Sequence, residues 1–163
     1  MSNSEYIILQ GVPTPQTYHD LRKVAGLTPP PMEAVAKALA NSIVGFLAYE
    51  RKHMVNDSVP GDGQEPVAMG RLSGDGSLFL LLTDVATHPD HQRRGLGQRI
   101  LQALVDYIDE HAPEAYVSLV ADPPGQKLYP KFGFKDCHPG LGMYRMIRGR
   151  KTMAQGNTQS EEP

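Results

Sequence analysis

The segment from Leu78 to His111 constrains the fold most, because a strand pattern, a glycine-containing turn and an amphipathic helix follow one another within it. Leu78–Thr87 is a long apolar run, which is typical of a strand buried on both faces of a sheet. From Gly95 to His111 apolar residues recur at helical spacing, and Pro113 lies just beyond the end of the pattern. The sequence therefore predicts a central strand followed by a long surface helix.

The rest of the chain alternates short apolar runs with turn residues, which predicts further strands and helices on both sides of that segment. The additional strands are Tyr6–Gln10, Ile43–Glu50, Val67–Leu72, Tyr116–Ala121 and Met143–Ile147. The additional helices are Tyr18–Leu27, Met32–Asn41 and Gly125–Phe132. The polar segment from Arg51 to Pro66 has loop chemistry. This order predicts an α/β (α+β) fold, with an antiparallel front half followed by a β-α-β unit.

Length and composition indicate one globular domain. The chain has 163 residues, of which 40% are hydrophobic and 21% charged. We expect a single domain over residues 1–150 and a flexible tail over residues 151–163, where no apolar pattern continues. The 16 basic and 18 acidic residues nearly balance, so the charge indicates neither a nucleic-acid partner nor binding to an anionic membrane.

Two further features bear on the location of the protein. Cys137 is the only cysteine, so the chain cannot form an internal disulfide. Met1–Gln10 lacks the basic start and the long apolar run of a secretory signal. The longest apolar stretch, Leu78–Leu82, is far shorter than the roughly 20 residues that cross a bilayer. These features predict a cytoplasmic protein.

The turn Gln92–Gly97 (QRRGLG) has the features of an anion-binding helix start. It lies between the central strand and the long helix, so its backbone N–H groups are expected at the positive end of the helix dipole. Arg93 and Arg94 add positive charge, and the glycines permit close approach of a diphosphate. The turn lacks the third glycine of a dinucleotide-binding fingerprint and the ending of a P-loop. The alternative is that this turn only starts a helix.

Two segments carry a resemblance to a known family. Thr83–Gly97 (TDVATHPDHQRRGLG) resembles the acetyl-coenzyme A motif of the GNAT superfamily of N-acetyltransferases. Ala121–Phe134 (ADPPGQKLYPKFGF) resembles the closing segment of that family, with its Leu-Tyr and Gly-Phe pairs. The sequence departs from the family at Asp122, where Asn is frequent, and at Gly125, where Ala is frequent. Both departures bear on the contact with the arm of the cofactor.

The resemblance implies a fold and a set of cofactor contacts. The implied fold is a mixed, mostly antiparallel central sheet of about six to seven strands flanked by about four helices, with splayed central strands that form the acetyl-CoA cleft. The backbone of Val85, Ala86 and Thr87 is expected to pair with pantetheine, and one of these amides to hold the thioester oxygen. The other expected contacts with acetyl-CoA are Gln92, Arg93, Arg94, Gly95, Leu96, Gly97, Gln98 and Asp122.

Tyr129 corresponds to the tyrosine that, in many members of the family, protonates the departing thiolate. Reference pKa values near 10 for tyrosine and about 8.5 for a thiol permit this transfer. The alternative is that Tyr129 only packs in a short helix and its hydroxyl reaches a hydrogen-bond partner.

Asp84 is the second candidate catalytic residue, because the attacking amine must lose a proton to a base or to a water chain. Side chains alternate along a strand, so Asp84 faces away from Thr83 and Val85 unless a bulge intervenes. The alternative is an ion pair with Arg71 of the neighbouring strand. His88 and His91 flank a turn without a recognisable third ligand, so we expect no metal.

The expected activity is transfer of an acetyl group from acetyl-CoA to an amine by direct attack in a ternary complex. A small primary amine is the first expectation for the acceptor, and a protein or peptide N-terminus is the second. A non-catalytic acyl-CoA-binding module is the alternative from another functional class. Edge strands near both termini favour a homodimer.

Overall fold

The computed structural model describes residues 5–146, where the elements expected from the sequence up to the strand at Tyr116 appear in the expected order, with two further short strands between Arg51 and Pro66. The seven strands are β1 (Tyr6–Gln10), β2 (Val44–Glu50), β3 (Met54–Asn56), β4 (Val59–Pro60), β5 (Ala68–Gly74), β6 (Phe79–Thr87) and β7 (Tyr116–Ser118). The three α-helices are α1 (Pro15–Val24), α2 (Met32–Ala40) and α3 (Leu96–His111). Four short 3-10 turns are Arg51–His53, Pro89–His91, Pro123–Gly125 and Tyr129–Phe132.

The main sheet has five strands in the order β1-β2-β5-β6-β7. All its neighbours are antiparallel except β6 and β7, which are parallel and joined by the α3 crossover. The strands β3 and β4 form a separate two-stranded sheet. The mixed, mostly antiparallel sheet with flanking helices is therefore confirmed.

Three segments differ from the sequence-based expectation. The expected loop between Arg51 and Pro66 contains the small β3–β4 sheet. The expected helix Gly125–Phe132 is replaced by two 3-10 turns, since Pro130 in its interior lacks the N–H group that an α-helix needs.

The last difference concerns the C-terminal segment. Residues 143–146 pair with no strand among the described residues, and Ile147 lies outside the described residues. The expected tail over residues 151–163 also lies outside them, so the domain limits stay a prediction.

Helices pack on both faces of the sheet. On one face, α3 buries Ile100, Leu101 and Leu104 against strand residues such as Leu72 and Leu82. On the other face, α1 and α2 form a second core, whose buried members are Tyr18, Leu21, Val35, Leu39, Leu47, Met69 and Ala86. The sheet is therefore the middle of three layers, and β6 contributes to both cores.

The approach of α3 to the sheet depends on Gly70 in β5. A Cβ atom at this position would lie 2.6 Å from Ile100 Cγ2 and 3.1 Å from Leu104 Cδ1. These distances leave no room for a side chain. The glycine thus lets α3 lie directly over the strand that neighbours β6.

Candidate active site

A β-bulge in β6 turns Asp84 toward α1 and α2. Arg71 of β5 pairs with Thr83, whereas Met69 pairs with Ala86, so Gly70 stands opposite two residues of β6. Asp84 takes a left-handed conformation with a φ of 59°. The extra residue brings the Asp84 side chain to the same cavity as Thr83. The bulge that would bring Asp84 to the same face as Thr83 is therefore present.

Asp84 is the centre of a buried polar network. Its side chain is only 3% exposed, and both carboxylate oxygens accept hydrogen bonds from side chains. Arg22 Nη1 lies 2.5 Å from Oδ1, the Tyr18 hydroxyl donates to the same oxygen at 2.9 Å, and Arg71 Nε donates to Oδ2 at 2.6 Å. The ion pair with Arg71 that the sequence offered as an alternative is thus present, and Arg22 forms a second one.

Arg22 is fixed in turn by the chain that follows α1. Its Nε and Nη2 atoms donate to the carbonyl oxygen of Thr28 at 3.2 and 2.9 Å. Burial and the charge of Asp84 raise the pKa of the Tyr18 hydroxyl, which keeps it protonated as a donor. The network is therefore held by α1 and the segment that follows it on one side, and by β5 and β6 of the sheet on the other.

A cavity of about 290 Å³ opens next to this network. It lies between α1, α2 and the face of the sheet formed by β5 and β6. One wall is apolar, and the other is polar and charged. The apolar wall consists of Pro30, Ala34, Val35 and Ala38, and the polar wall of Tyr18, Arg22, Arg71, Thr83 and Asp84. This shape suits a small organic molecule with an apolar spacer.

The two parallel strands separate near the bulge. Their pairing ends with Leu81 and Ser118, while β6 continues to Thr87 without a partner on that side. The residues after Ser118 are not in a strand. The expected separation of the central strands is thus confirmed, and Val85, Ala86 and Thr87 lie in the part of β6 that borders the opening.

The turn before α3 has the geometry of an anion site. Gly95 caps the helix in a left-handed conformation, with a φ of 77°, and no side chain caps the N-terminus of α3. The first turn of α3 contains no acidic residue, so the N–H groups of Leu96, Gly97 and Gln98 face no carboxylate of their own turn. Arg93 is also left-handed, with a φ of 61°. An uncapped helix start of this kind offers backbone N–H donors.

Side chains hold this turn in place. Gln92 Nε2 donates to the carbonyl oxygen of Thr87 at 3.2 Å, which ties the turn to the end of β6. Arg94 forms an exposed ion pair with Glu5 at 3.2 Å. His91 Nδ1 lies 2.9 Å from the hydroxyl of Tyr6 on β1. The start of the turn is therefore attached to β6 and β1.

Tyr129 lies in the closing segment, next to the start of α3. A Cβ atom at Gly97 would lie 3.7 Å from Leu128 Cδ2, so the closing segment packs over the first turn of the helix. At Gly125, a Cβ atom would lie only 3.0 Å from Tyr129 Cε2. The glycine that departs from the family pattern thus makes room for the Tyr129 ring.

The environment of Tyr129 favours the protonated phenol. Burial raises the pKa of Tyr129, and the negative charge of Asp122 raises it further. The ring also packs edge-on against Phe134, with centroids 6.1 Å apart. The Tyr129 ring therefore packs against its neighbours, while its hydroxyl stays protonated.

Sequence reasoning missed Tyr18 and Arg22. They lie 66 and 62 positions from Asp84 in the chain, so no local motif joins them to it. Their spacing of four residues on a short helix was the available indication, since residues four apart share one face.

Residues 5–146 contain no group of three or more His, Cys, Asp or Glu side chains arranged to hold a metal ion. Among the same residues, no helix combines the length and the apolar character that crossing a bilayer requires.

Known proteins resemble this chain in both sequence and structure. The family model of the acetyltransferase (GNAT) domain matches residues 35–136. An uncharacterized N-acetyltransferase of Pyropia yezoensis is 29% identical over 115 residues, which are 70% of this chain and 61% of that protein. Serotonin N-acetyltransferase 2, chloroplastic, of Oryza sativa subsp. japonica is 29% identical over 116 residues, which are 69% of this chain and 54% of that protein. The chain thus spans less than two thirds of the length of these relatives.

A solved structure extends the comparison to most of the fold. A probable acetyltransferase from meticillin-resistant Staphylococcus aureus superposes with a TM-score of 0.74 and 32% sequence identity. The match covers 87% of this chain and 99% of that one. The family model covers more than half of the chain and includes both the turn before α3 and the closing segment. The chain therefore belongs to the GNAT family.

Proposed function

We propose that this GNAT N-acetyltransferase transfers the acetyl group of acetyl-CoA to a small primary amine by direct attack in a ternary complex. The observation that carries the proposal is the position of the cavity between α1, α2 and the sheet, the front cavity. It meets the bulge of β6 at Asp84, directly before the segment Val85–Thr87 where the parallel strands separate. An amine in the cavity and a thioester in the opening would thus meet across one strand.

The cofactor contacts in this proposal follow the backbone. The backbone of Val85, Ala86 and Thr87 on the side away from β5 would pair with the pantetheine arm, and the N–H groups around Gly95 would bind the pyrophosphate. Gln92, Arg93, Arg94, Leu96, Gly97 and Gln98 complete the proposed turn, and Asp122 lies at the edge of the opening. The uncapped N-terminus of α3 supports this assignment.

The chemical step balances without a covalent enzyme intermediate. The amine nitrogen attacks the thioester carbonyl carbon, a backbone N–H of β6 stabilises the negative oxygen, and the C–S bond then breaks. The departing thiolate takes a proton from the Tyr129 hydroxyl. The attacking nitrogen releases its proton to solvent, and a proton from solvent restores the Tyr129 phenol. The raised pKa of Tyr129 supports this acid role, because it keeps the proton on the phenol until the thiolate forms.

Asp84 is proposed to bind the acceptor amine. A carboxylate offers about four acceptor positions, and three donors already contact Asp84. One position is thus left for an N–H group of the amine in the cavity. The donors from Arg22 and Arg71 fix the direction of that position, so Asp84 orients the nucleophile.

A screen of coenzyme A thiol release tests the proposal. Acetyl-CoA would be offered with small primary amines and with short peptides that have free N-termini, and mass spectrometry would identify the acetylated product. The cavity of about 290 Å³ favours turnover of the small amines. Turnover of peptides alone would establish the second acceptor class. Binding of coenzyme A without thiol release for any acceptor would identify a non-catalytic acyl-CoA-binding module.

The proposed assembly is a homodimer. Both β1 and β7 are edge strands of the main sheet, and apolar side chains near β7 are uncovered. Phe79 and Tyr116 are 65% and 61% exposed. The segment that contains Met143 and Tyr144 is also exposed, at 86% and 78% for these side chains. Such surfaces favour association with a second copy.

The proposed location is the cytoplasm. The thiol of Cys137 is exposed and unpaired among the described residues, as suits a reducing compartment. The Oryza relative is named as chloroplastic, so a plastid location is the alternative. Imaging of a fluorescent fusion of the full chain distinguishes the two.

A further inference from the structure

We propose that the acceptor amine also carries a carboxylate, and that the Arg71 guanidinium binds this carboxylate in the front cavity. The inference rests on the proposed acetyl transfer to a small amine and specifies its substrate class. The acceptor would then be an amino acid or a related amino carboxylate, rather than an amine with an uncharged or cationic tail.

The charges around the cavity do not balance. Asp84 contributes one negative charge, whereas Arg22 and Arg71 each contribute a positive one. The other lining residues from the sheet and from the α2 side are uncharged, and they are Thr83, Pro30, Ala34, Val35 and Ala38. The lining of the cavity thus has a net charge of one positive unit before any acceptor enters.

This excess charge lies in a poorly solvated place. The side chains of Arg22 and Arg71 are only 16% and 14% exposed. A partly buried charge without a counter-charge is unfavourable, and proteins normally pair it. An amine that enters as an ammonium would add a second positive unit, so an anionic group on the same molecule would restore the balance.

Arg71 has the free donors for this role. A guanidinium has five N–H groups, and Arg71 uses one toward Asp84 and one toward the Ser42 hydroxyl at 3.3 Å. Within residues 5–146 its other three N–H groups make no hydrogen bond. Arginine binds a carboxylate through two parallel hydrogen bonds, and the remaining donors suffice for such a pair. Arg22, by contrast, is tied to both Asp84 and Thr28.

The two recognition groups and the apolar wall define the acceptor. Asp84 would receive the amine, Arg71 the carboxylate, and the side chains of Ala34 and Ala38 would contact the carbon atoms between or beside them. A cavity of about 290 Å³ accommodates a molecule of amino acid size. If Arg71 serves only the fold, an acceptor with a neutral amide in place of its carboxylate would be acetylated equally well.

Matched acceptors give the test. Thiol release would be measured with 4-aminobutanoate and 4-aminobutanamide, and with phenylalanine and phenylalaninamide. We expect kcat/KM to favour at least one acid over its amide by about 10- to 100-fold in the wild-type protein. Equal kcat/KM values within both pairs would overturn the inference while leaving the acetyltransferase proposal intact. Failure of every amine would instead count against the acetyltransferase proposal.

Three variants assign the preference to Arg71. In Arg71→Gln the acid should lose its advantage through a raised KM, and Arg71→Lys should restore part of it. Lys23→Gln removes an exposed charge from the same helix as Arg22 and should keep the wild-type ratio. An undiminished preference in Arg71→Gln would overturn the assignment.

A binding measurement covers the case in which Arg71→Gln folds poorly or no acceptor reacts. Butanoate should raise the Tm of the wild-type protein more than butanamide does, and this difference should be reduced in Arg71→Lys. Equal shifts for the two compounds would overturn the inference independently of turnover.

Discussion

Arg71 Nε lies 2.6 Å from Asp84 Oδ2, although the strand pairing places Arg71 opposite Thr83 and not opposite Asp84. The extra residue in β6 makes this contact, because it turns Asp84 onto the face that carries α1 and α2. An irregularity of one residue thus brings a carboxylate to the front cavity. The same contact leads to the first prediction.

Replacement of Asp84 by Asn should destabilise the protein. The change leaves Arg22 and Arg71 without their carboxylate in a nearly closed site, and breaking a buried pair costs about 3–5 kcal/mol. The free energy of unfolding in urea measures the effect. Asp57→Asn is the control, since Asp57 pairs with Arg51 but is 80% exposed, and it should change stability little. Equal stabilities of the two variants would contradict the prediction.

Removal of the Tyr129 hydroxyl should slow the chemical step. Tyr129→Phe keeps the ring that packs against Phe134 but removes the proton donor, so kcat should fall roughly 100-fold while the KM for acetyl-CoA changes little. Steady-state thiol release measures both constants. Tyr116→Phe, on the exposed edge of the sheet, should retain the wild-type kcat. A Tyr129→Phe enzyme of full activity would show that Tyr129 only packs.

The pH profile should depend on Asp122. A general acid works only while protonated, so the rate should fall as the pH rises through the pKa of Tyr129. The charge of Asp122 raises that pKa, and Asp122→Asn removes the charge, so the alkaline limb should move to lower pH. Because burial also raises the pKa, a part of the upward shift should remain. Measured profiles of kcat against pH give the two limbs.

The control for this experiment is Asp109→Asn, which removes an exposed carboxylate from α3. Its alkaline limb should coincide with that of the wild-type protein. If the alkaline limb of Asp122→Asn coincides with that of the wild-type protein, ionisation of Tyr129 does not cause the fall in kcat.

Cofactor binding should depend on the turn before α3. Gly95→Glu places a negative charge at the N-terminus of the helix and should weaken coenzyme A binding about 10-fold or more. Gly63→Glu is a matched control, because both glycines have positive φ values, 77° and 71°, and neither has an atom within 4 Å of an added Cβ. Backbone strain is therefore similar in the two variants. Calorimetric titration with coenzyme A should show a loss for Gly95→Glu only.

Sedimentation velocity tests the proposed homodimer. The wild-type chain should sediment as a dimer, and charged substitutions in the exposed apolar surface, Phe79→Asp and Tyr144→Asp, should shift it toward the monomer. Asp136→Asn changes an exposed position without removing apolar surface and should leave the dimer intact. A wild-type protein that sediments only as a monomer would end this proposal.

Local patterns predicted the sheet, its helices and the turn that starts α3, because each depends on residues that are close in the chain. The α3 pattern and the Gln92–Gly97 turn are both of this kind. The network around Asp84 was only partly predictable. Arg71 was foreseen as a partner of Asp84, since neighbouring strands bring them together, whereas Tyr18 and Arg22 arrive through the packing of α1 on the sheet.

Proline chemistry and strand pairing account for the differences in the closing half. The helix expected over Gly125–Phe132 needs an N–H group that Pro130 does not have. The strand expected at residues 143–146 needs a neighbouring edge, and none of the described strands provides one. Neither condition is visible in an apolar pattern alone.

The one-residue shift in β6 also directs side chains of one strand to α3 on one face of the sheet and to α1 and α2 on the other. Leu80 and Leu82 pack with α3, whereas Asp84 and Ala86 lie against α1 and α2. Substitutions on α1 and α2 can therefore change one wall of the front cavity while α3 keeps its packing on the sheet. The two faces of this single strand can in this way vary independently of each other.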